Sequence, residues 1–403
     1  MEPEIRISDY NYILPDIKIA KFPLPNREDS KILIFKINSL KCDSFSNIHN
    51  LVPGNSVIVL NNTKVVAARL IFQKKSGAFI EVFCLEPHNP SEYNIAFATK
   101  GISEWKCVIG NIKRFKSDIL DLYCNENNEA IDVSLKAELL GREDNEAIVR
   151  FSWNNHYSFS SVLEICGKIP IPPYLKRDSI LSDKERYQTI YALNKGSVAA
   201  PTARLHFSDN TLKRLKNNGI IINELTLHVG AGTFIPVKSE LISGHKMHSE
   251  PFTVTLGLVE NLLKSKDMRP IISVGTTSAR TLESLYYLGL HCISTGEPGE
   301  VSQWEPYNIV NEVSLQYSLN ALINWFKTSK KQELSTKTQI IIVPGFKFRI
   351  VDILITNFHQ PQSTLLLLIA AFIGESWKNV YDYALNNDFR FLSYGDSCLF
   401  FKK

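Results

Sequence analysis

The sequence predicts an α/β protein in which a large barrel-like α/β domain (residues 1–66 and 151–403) carries a small inserted antiparallel β-barrel domain (residues 67–150). Between residues 67 and 150, short alternating runs such as FIEVFCL and EAIVRFSW are separated by polar turns. No long helical pattern interrupts them, which is typical of a small antiparallel barrel. On either side, apolar strands alternate with helical periodicity, as in an α/β domain. With 403 residues, the chain is long enough for both.

The elements of the large domain follow from apolar runs and from residues that begin or end helices. Strands are predicted at Ile32–Ile37, Val57–Leu60, Ile220–Val229, the IISV run before Gly275, and Arg349–Ile355. Helices are predicted from the N-cap Ser208 to Gly219, from Thr277 along the face of Leu282, Leu285 and Leu288, and from Leu365 to Phe372. The segment at about 290–338 departs from this alternation, because a turn-rich stretch precedes a helix through Leu315 and Trp325.

Composition excludes several classes of protein. The formal net charge of +4 is compatible with a nucleic-acid partner without indicating one. Seven cysteines without a CxxC pair argue against a zinc ribbon and a disulfide framework, and they fit a reducing cytosol. The N-terminus lacks the apolar stretch of a signal peptide, and the longest apolar run, Leu365–Ile373, is too short to cross a bilayer. We therefore expect a soluble, cytoplasmic protein, and we separately expect it to be a monomer.

Three predicted strands end in polar loops that resemble ligand-binding segments. These loops are HVGAGT after the strand that begins at Ile220, GTTS after IISV, and TNFH after the strand that begins at Arg349. In parallel α/β sheets and barrels, binding sites form at the carboxyl ends of strands, so we expect one composite pocket. Asn61, Asn62 and Thr63 follow a fourth strand, where simple turn capping is an equal alternative.

Each of these motifs also has a structural alternative. HVGAGTF lacks the third glycine of a dinucleotide fingerprint, so a tight loop that exposes backbone amides is the better interpretation. GTTS begins a helix and could bind an anion, although ordinary capping by Thr277 or Ser278 would also explain it. The HKMHSE run spaces His245 and His248 as HxxH, but HExxH is absent, which favours acid–base or hydrogen-bonding roles over metal binding. No GxSxG elbow and no Cys–His pair indicates nucleophilic hydrolysis.

Longer motifs then give a specific resemblance. The runs YQTIYALNKGSVAAPTARLHF, LTLHVGAGTFIPV, SVGTTSARTLES, ITNFHQPQSTLLLLIAAFIG and FRFLSYGDSCLF, in this order, resemble the S-adenosylmethionine:tRNA ribosyltransferase-isomerase family of queuosine biosynthesis. DYNYILPDIKIAKFPLPNR, GNSVIVLNNTKVVAARL and KIPIPPYLKR are also similar to it, so the resemblance runs nearly end to end.

The resemblance implies the fold predicted above and a defined reaction. Enzymes of this family transfer and isomerise the ribosyl group of S-adenosylmethionine onto an aminomethyl-deazaguanine base (preQ1) at the wobble position of certain tRNAs. The product is epoxyqueuosine-tRNA, and adenine and methionine are released. The resemblance implies S-adenosylmethionine as co-substrate, no metal and no further cofactor, and the anticodon stem-loop of tRNA as partner.

The candidate residues are groups that such a reaction needs. A base would remove a proton beside the sulfonium, an acid would protonate the departing adenine, and the attacking amine must be neutral. The candidate catalytic residues are His206, His228, His245, His248, Glu250, His359 and Asp396. The candidate substrate-binding residues are Thr202, Arg204, Gly230, Gly232, Thr233, Thr276, Thr277, Arg280, Asn357, Ser363, Thr364 and Tyr394. The sequence does not assign the acid and the base among them.

Three positions depart from the family pattern. Arg204 stands where the family has glycine in PTAGLHF, Asn62 replaces the aspartate of NDT, and Gln362 replaces the lysine of HLPKST. Arg204 could restore the cation lost at Gln362 and preserve anion binding. Alternatively, the changes mark a paralogue that cleaves S-adenosylmethionine for a different acceptor. A catalytically silent RNA-binding protein is the remaining alternative, against which the retained histidines speak.

Overall fold

The computed structural model describes residues 3–110, 112, 115, 119–123, 132–143, 146–188, 194–197, 202–228 and 237–403. The chain forms two compact units, a large unit (residues 1–62, 201–227 and 234–403) and a small unit (residues 63–200 and 228–233). The predicted insert, residues 67–150, lies within the small unit. Residues 63–66, 151–200 and 228–233 belong to this unit as well.

The described part of the small unit contains the predicted closed antiparallel barrel, which confirms the fold class. Its strands, in spatial order, are β10 (Glu146–Ser152), β7 (Ile102–Gly110), β6 (Phe79–Asn89), β5 (Arg69–Gln73), β8 (Leu120–Leu122) and β9 (Lys136–Glu143). Side chains along β10 alternate between buried and half-buried positions, as expected for a strand with one face inward. Trp105, Phe72 and Phe151 are among the fully buried residues of the barrel core.

The remaining described elements of the small unit are short. They are a parallel pair, β4 (Thr63–Val65) and β11 (Asn194–Ser197), with the helices α2 (Tyr93–Ala98), α3 (Phe159–Cys166) and α4 (Asp183–Arg186). Ser158 caps α3, because its hydroxyl accepts the backbone N–H of Ser161.

The described part of the large unit is built on a nine-stranded mixed sheet. In spatial order its strands are β15 (Glu333–Thr338), β13 (Glu250–Thr255), β12 (Ile221–Leu227), β3 (Val57–Asn61), β14 (Ile271–Val274), β16 (Ile353–Asn357), β17 (Ser397–Phe401), β1 (Lys31–Lys36) and β2 (Ser39–Ser44). Four neighbours, β12, β3, β14 and β16, run parallel. Val57–Leu60 and Ile271–Val274 are buried throughout, because parallel central strands are covered on both faces.

Helices cover this sheet. They are α1 (Ile48–Leu51), α5 (Asp209–Asn217), α6 (Leu256–Ser265), α7 (Thr276–Thr295), α8 (Leu315–Ser329), α9 (Thr364–Ile373) and α10 (Ser376–Asn386). Ser208 caps α5 as predicted, since its hydroxyl accepts the N–H of Thr211. Leu282, Leu285 and Leu288 are fully buried on α7, in a stretch from Thr276 to Gly289 that is buried on every face. Within the described residues, no helix combines the length and apolar character that a membrane span requires.

Gly289 sets the close approach of α7 and α8. A Cβ built on Gly289 would lie 2.2 Å from both the carbonyl oxygen and the hydroxyl of Ser318. Because a backbone carbonyl cannot move as a flexible side chain can, we expect Gly289→Ala to destabilise the fold by about 1–3 kcal/mol. Chemical denaturation measures this loss. Gly257→Ala in α6 is the matched control: there the nearest atom lies at 4.0 Å, so the better helix former should not destabilise. Equal effects of the two substitutions would contradict this account.

Candidate active site

The site forms where the carboxyl ends of the parallel strands meet. β14 and β16 run in the same direction, so Thr276–Ser278 and Phe358–His359 follow them at one edge of the sheet. Antiparallel β13 begins beside the end of β12, and antiparallel β17 begins beside the end of β16. Glu250 and Asp396 therefore lie at this same edge, which we call the catalytic edge. Two of the three predicted loops are thus brought together within the large unit.

His206 lies at the catalytic edge as a buried, neutral imidazole. Its Nδ1 is 2.8 Å from the Ser30 hydroxyl, and its Nε2 is 3.1 Å from the Asn357 amide nitrogen. Because that amide donates, Nε2 is the acceptor and Nδ1 carries the proton. Burial, together with the positive charges of Arg27 and Arg390, lowers the pKa of His206 to about 3. The imidazole is thus an orienting hydrogen-bond group and not an acid at neutral pH.

Asn357 adds a buried acceptor beside His206. Asn357 is 2% exposed and is the last residue of β16. Its amide nitrogen is bound to His206, whereas its Oδ1 has no hydrogen-bond donor among the described residues. A buried carbonyl oxygen without a donor is costly, so this atom is suited to accept a hydrogen bond from a substrate.

A second cluster at the edge joins His248, Glu250 and Arg280. The Nε2 atom of His248 lies 3.0 Å from Glu250 Oε1, and Arg280 Nη1 lies 2.7 Å from Glu250 Oε2. Burial alone would raise the pKa of Glu250, but the charge of Arg280 and the hydrogen bond from His248 outweigh it and lower that pKa. Glu250 is fully buried, whereas the His248 side chain is 24% exposed. This arrangement orients an accessible imidazole on a buried carboxylate, as acid–base catalysis requires.

Arg280 also keeps donor capacity at this cluster. Its Nε donates to the Ile340 carbonyl at 2.8 Å, and its guanidinium is buried on α7. Its contact with Glu250 has the distance of an ion pair without the alignment of a hydrogen bond, and Nη2 has no hydrogen-bond partner among the described residues. Burial lowers the pKa of Arg280, although Glu250 opposes that shift. The guanidinium can therefore take a further acceptor.

His359 is held by its neighbours in the loop after β16. Its Nε2 lies 2.9 Å from the Thr356 hydroxyl, and its backbone N–H donates to the Tyr381 hydroxyl at 3.0 Å. The Tyr12 hydroxyl donates to its carbonyl oxygen. Burial lowers the pKa of His359 to about 3, so the imidazole stays neutral. These contacts hold the end of β16 in place.

The Asp396 carboxylate is occupied by backbone groups. Its oxygens accept the N–H groups of Lys31 at 2.9 Å and Arg390 at 2.8 Å. Burial raises the pKa of Asp396 despite these two bonds. The carboxylate thus ties the start of β1 to the loop before β17, which is a structural connection at the catalytic edge.

The predicted anion site at the start of α7 has open backbone donors. Gly275, with φ of 92°, is the N-cap residue and offers no side chain to the first turn. Thr276 and Thr277 are both buried there, and the Ser278 hydroxyl has no partner among the described residues. Capping by the residue at the N-cap is therefore absent from this described turn, which leaves its N–H groups for an anion.

The other predicted binding residues are placed as follows. Thr202 and Arg204 lie on a 3₁₀ turn, where Arg204 is 1% exposed. Ser363 caps α9 by accepting the Leu366 N–H at 3.2 Å, and Thr364 is the first residue of that helix. Tyr394 is buried in the loop before β17. Gly230, Gly232 and Thr233 lie outside the described residues.

His228 and His245 have different surroundings from His206. In the small unit, the ring of His228 stacks on Tyr93 with centroids 4.0 Å apart and planes 7° from parallel. His245 is half-buried in the large unit, and burial followed by the proximity of His248 lowers its pKa. The described residues contain no cluster of three or more His, Cys, Asp or Glu side chains suited to a metal ion.

The Asn62 departure has a local explanation. Its amide nitrogen donates to Glu224 at 3.3 Å, and its Oδ1 accepts the Thr226 hydroxyl at 2.9 Å. An aspartate would place a second carboxylate against Glu224, so the neutral amide suits this pair. Gln362 adopts a positive φ of 53° and donates its backbone N–H to the Tyr10 carbonyl. Nothing in the structure explains the loss of a cation at position 362.

Sequence reasoning missed Ser30, Arg27 and Arg390. They reach His206 from the N-terminal segment and from the loop before β17. The only signal for Ser30 was its place before a predicted strand. Its proximity to His206 follows from the parallel pairing of β1 with β17, which joins residues more than 360 positions apart.

Comparison with known proteins shows which family the chain is similar to. Residues 7–400 match the family model described as "Queuosine biosynthesis protein". A protein of Halothermothrix orenii named S-adenosylmethionine:tRNA ribosyltransferase-isomerase is 36% identical over 98% of this chain and 99% of its own length. A protein of the same name from Sulfurihydrogenibium sp. is 35% identical over 98% and 99%. A crystal structure of S-adenosylmethionine tRNA ribosyltransferase from Thermotoga maritima has 26% identity and a TM-score of 0.46, covering 98% of this chain and 100% of that one.

Proposed function

Because the chain belongs to the queuosine biosynthesis protein family, we propose that it is an S-adenosylmethionine:tRNA ribosyltransferase-isomerase. The enzyme transfers and isomerises the ribosyl group of S-adenosylmethionine onto the aminomethyl-deazaguanine base at the tRNA wobble position. The product is epoxyqueuosine-tRNA, with release of adenine and methionine. S-adenosylmethionine acts as co-substrate, the anticodon stem-loop is the part of tRNA that is bound, and the protein acts as a cytoplasmic monomer.

The observation that carries this proposal is the His248–Glu250–Arg280 cluster. The reaction needs a base that takes a proton from the carbon beside the sulfonium and an acid that gives a proton to the departing adenine. His206 and His359, with pKa values lowered to about 3, are unsuited to donate a proton at neutral pH. His248 is partly exposed and bound to an ionised carboxylate, so it is our candidate for one of these two proton transfers.

The other groups at the catalytic edge would bind and orient substrate. The first turn of α7 at Thr276 and Thr277 presents backbone amides to an anion, either the methionine carboxylate or a tRNA phosphate. The Oδ1 atom of Asn357 would accept a hydrogen bond from the ribose or from the amine. His206 keeps Asn357 in this orientation through its 3.1 Å hydrogen bond.

A second candidate function rests on Arg204. The buried arginine replaces a family glycine beside His206, and the same chain lacks the family lysine at position 362. An enzyme of this fold that cleaves S-adenosylmethionine for a different acceptor would be consistent with such a change.

One assay separates these functions. The protein is incubated with S-adenosylmethionine and with tRNA that bears the aminomethyl-deazaguanine, and released adenine and methionine are quantified. We expect release that depends on the modified tRNA, together with ribosylated tRNA detected by mass spectrometry. Release without the modified tRNA would instead support a different acceptor. Binding of tRNA with no release would mean a catalytically silent RNA-binding protein and would overturn both.

A further inference from the structure

The turn after α7 reaches the loop that carries His245 and His248. Gln303, in this turn, makes two hydrogen bonds with the backbone of that loop. Its Nε2 donates to the His245 carbonyl at 2.6 Å, and its Oε1 accepts the Met247 N–H at 2.9 Å. Because a carbonyl only accepts and an N–H only donates, the orientation of the Gln303 amide is determined. The segment for which sequence reasoning found no role thus holds the residue next to His248.

The turn that presents Gln303 is itself fixed. His291 Nδ1 lies 2.7 Å from the Pro298 carbonyl, and its Nε2 lies 2.6 Å from Glu305. Both partners are acceptors, so both ring nitrogens carry protons, in keeping with the pKa of His291 that Glu305 raises. Glu305 also accepts the Ser302 N–H at 3.1 Å, which closes the turn around Gln303.

Backbone pairing connects the same turn to β15. The Val301 N–H donates to the Lys337 carbonyl at 3.2 Å, and the Ile341 N–H donates to the Gln303 carbonyl at 3.2 Å. Thr338 of β15 is in turn the register partner of Glu250. The same strand, β15, therefore pairs with Glu250 and is hydrogen-bonded to the turn that carries Gln303.

We propose that Gln303 is a positioning residue that places His248 against Glu250. Its two hydrogen bonds fix the backbone of residues 245–247, directly before His248. The turn that carries Gln303 is itself hydrogen-bonded to β15, the strand that pairs with Glu250. This inference rests on the proposed proton-transfer role of His248. A misplacement of about 1 Å at a catalytic group can lower a rate by about 100-fold, so a side chain outside the reaction centre can matter this much.

Two substitutions test the inference. Gln303→Ala removes both hydrogen bonds, and Gln303→Glu keeps the shape but sets a carboxylate oxygen against the His245 carbonyl. Gln316→Ala is the matched control, because that exposed glutamine binds only Asp267 among the contacts described for its side chain. We expect both Gln303 variants to lower kcat about 10–100-fold with little change in KM for S-adenosylmethionine. We expect the control to match the wild type, and the thermal midpoints of all three to stay close to it.

A readout that does not depend on turnover separates this inference from the proposed function. In protein labelled with ¹⁵N-histidine, the Nε2–H resonance of His248 is assigned by its loss in His248→Ala. We expect this hydrogen-bonded resonance to shift or broaden in Gln303→Ala and Gln303→Glu, and to stay unchanged in Gln316→Ala. An unchanged resonance in Gln303→Ala overturns the positioning role, whether or not the wild type turns over. If the wild-type enzyme is active and Gln303→Ala has the same kcat, that result overturns the positioning role as well.

Discussion

Replacing His248 by alanine is expected to lower turnover by about 10²–10⁴-fold, the range typical of a lost general acid or base, while the chain stays folded. The imidazole is partly exposed, so little apolar packing is lost. Glu250 keeps its ion pair with Arg280 at 2.7 Å, so the buried carboxylate is not left without a cation. The measurement is adenine release under single-turnover conditions at saturating S-adenosylmethionine, with the thermal midpoint recorded in parallel.

His49→Ala is the control for this prediction. His49 is half-buried on α1, and its carbonyl oxygen accepts the side-chain amide of Asn218 at 2.9 Å, shortly before the amino end of β12 and away from the strand carboxyl ends. We expect His49→Ala to retain the wild-type rate. If His248→Ala turns over as fast as His49→Ala, the proton-transfer step does not depend on His248, and His245 becomes the candidate to replace it.

The barrel could be predicted because its signal is local. Side-chain alternation along β7 and β10 places Trp105, Cys107 and Phe151 inside, and period-two alternation is visible in the sequence itself. The extent of the small unit could not be predicted in the same way. Thr63 of β4 pairs with Asn194 of β11, and pairing between residues about 130 positions apart leaves no local pattern. The domain boundaries at residues 66 and 151 stay a prediction.

One strand boundary was wrong for an identifiable reason. The apolar run predicts a strand from Arg349, but β16 begins at Ile353. The N–H groups of Arg349, Ile350 and Val351 donate instead to the buried carboxylate of Glu283 on α7, at 2.8–3.0 Å. Groups bound to a carboxylate cannot join a sheet ladder. A partner 66–68 residues away in sequence decides the boundary, and an apolar run cannot indicate it.

The candidate site was predictable as a list of residues and not as a set of charge states. The HKMHSE motif indicated His248 and Glu250, and the structure joins them at 3.0 Å. By contrast, the neutral state of His206 depends on burial and on Arg27 and Arg390, which lie far apart in sequence. Because burial and distant charges determine the pKa, the sequence could not show that His206 is a neutral, orienting histidine.

The largest effect on stability is expected from Arg280→Met, which leaves the Glu250 carboxylate buried without its cation. Breaking a buried pair in this way costs about 3–5 kcal/mol, because an uncompensated charge remains in the interior. The loss of the hydrogen bond from Nε to the Ile340 carbonyl adds to it. Chemical denaturation at neutral pH measures the change in the free energy of unfolding.

The pH dependence of this loss identifies its cause. In the wild type the pKa of Glu250 is lowered from its ordinary value of 4.5, so its stabilising contribution is complete above pH 4.5 and is lost as the pH falls through the lowered folded-state pKa. In Arg280→Met, burial without the arginine charge raises that pKa instead, so a proton neutralises Glu250 at higher pH. The difference in stability between wild type and variant should therefore be largest above pH 4.5 and should narrow in acid. The double variant Arg280→Met, Glu250→Gln removes the buried charge and should recover much of the stability at neutral pH. A loss of equal size at every pH, unrelieved by Glu250→Gln, would mean that Arg280 stabilises α7 through packing alone.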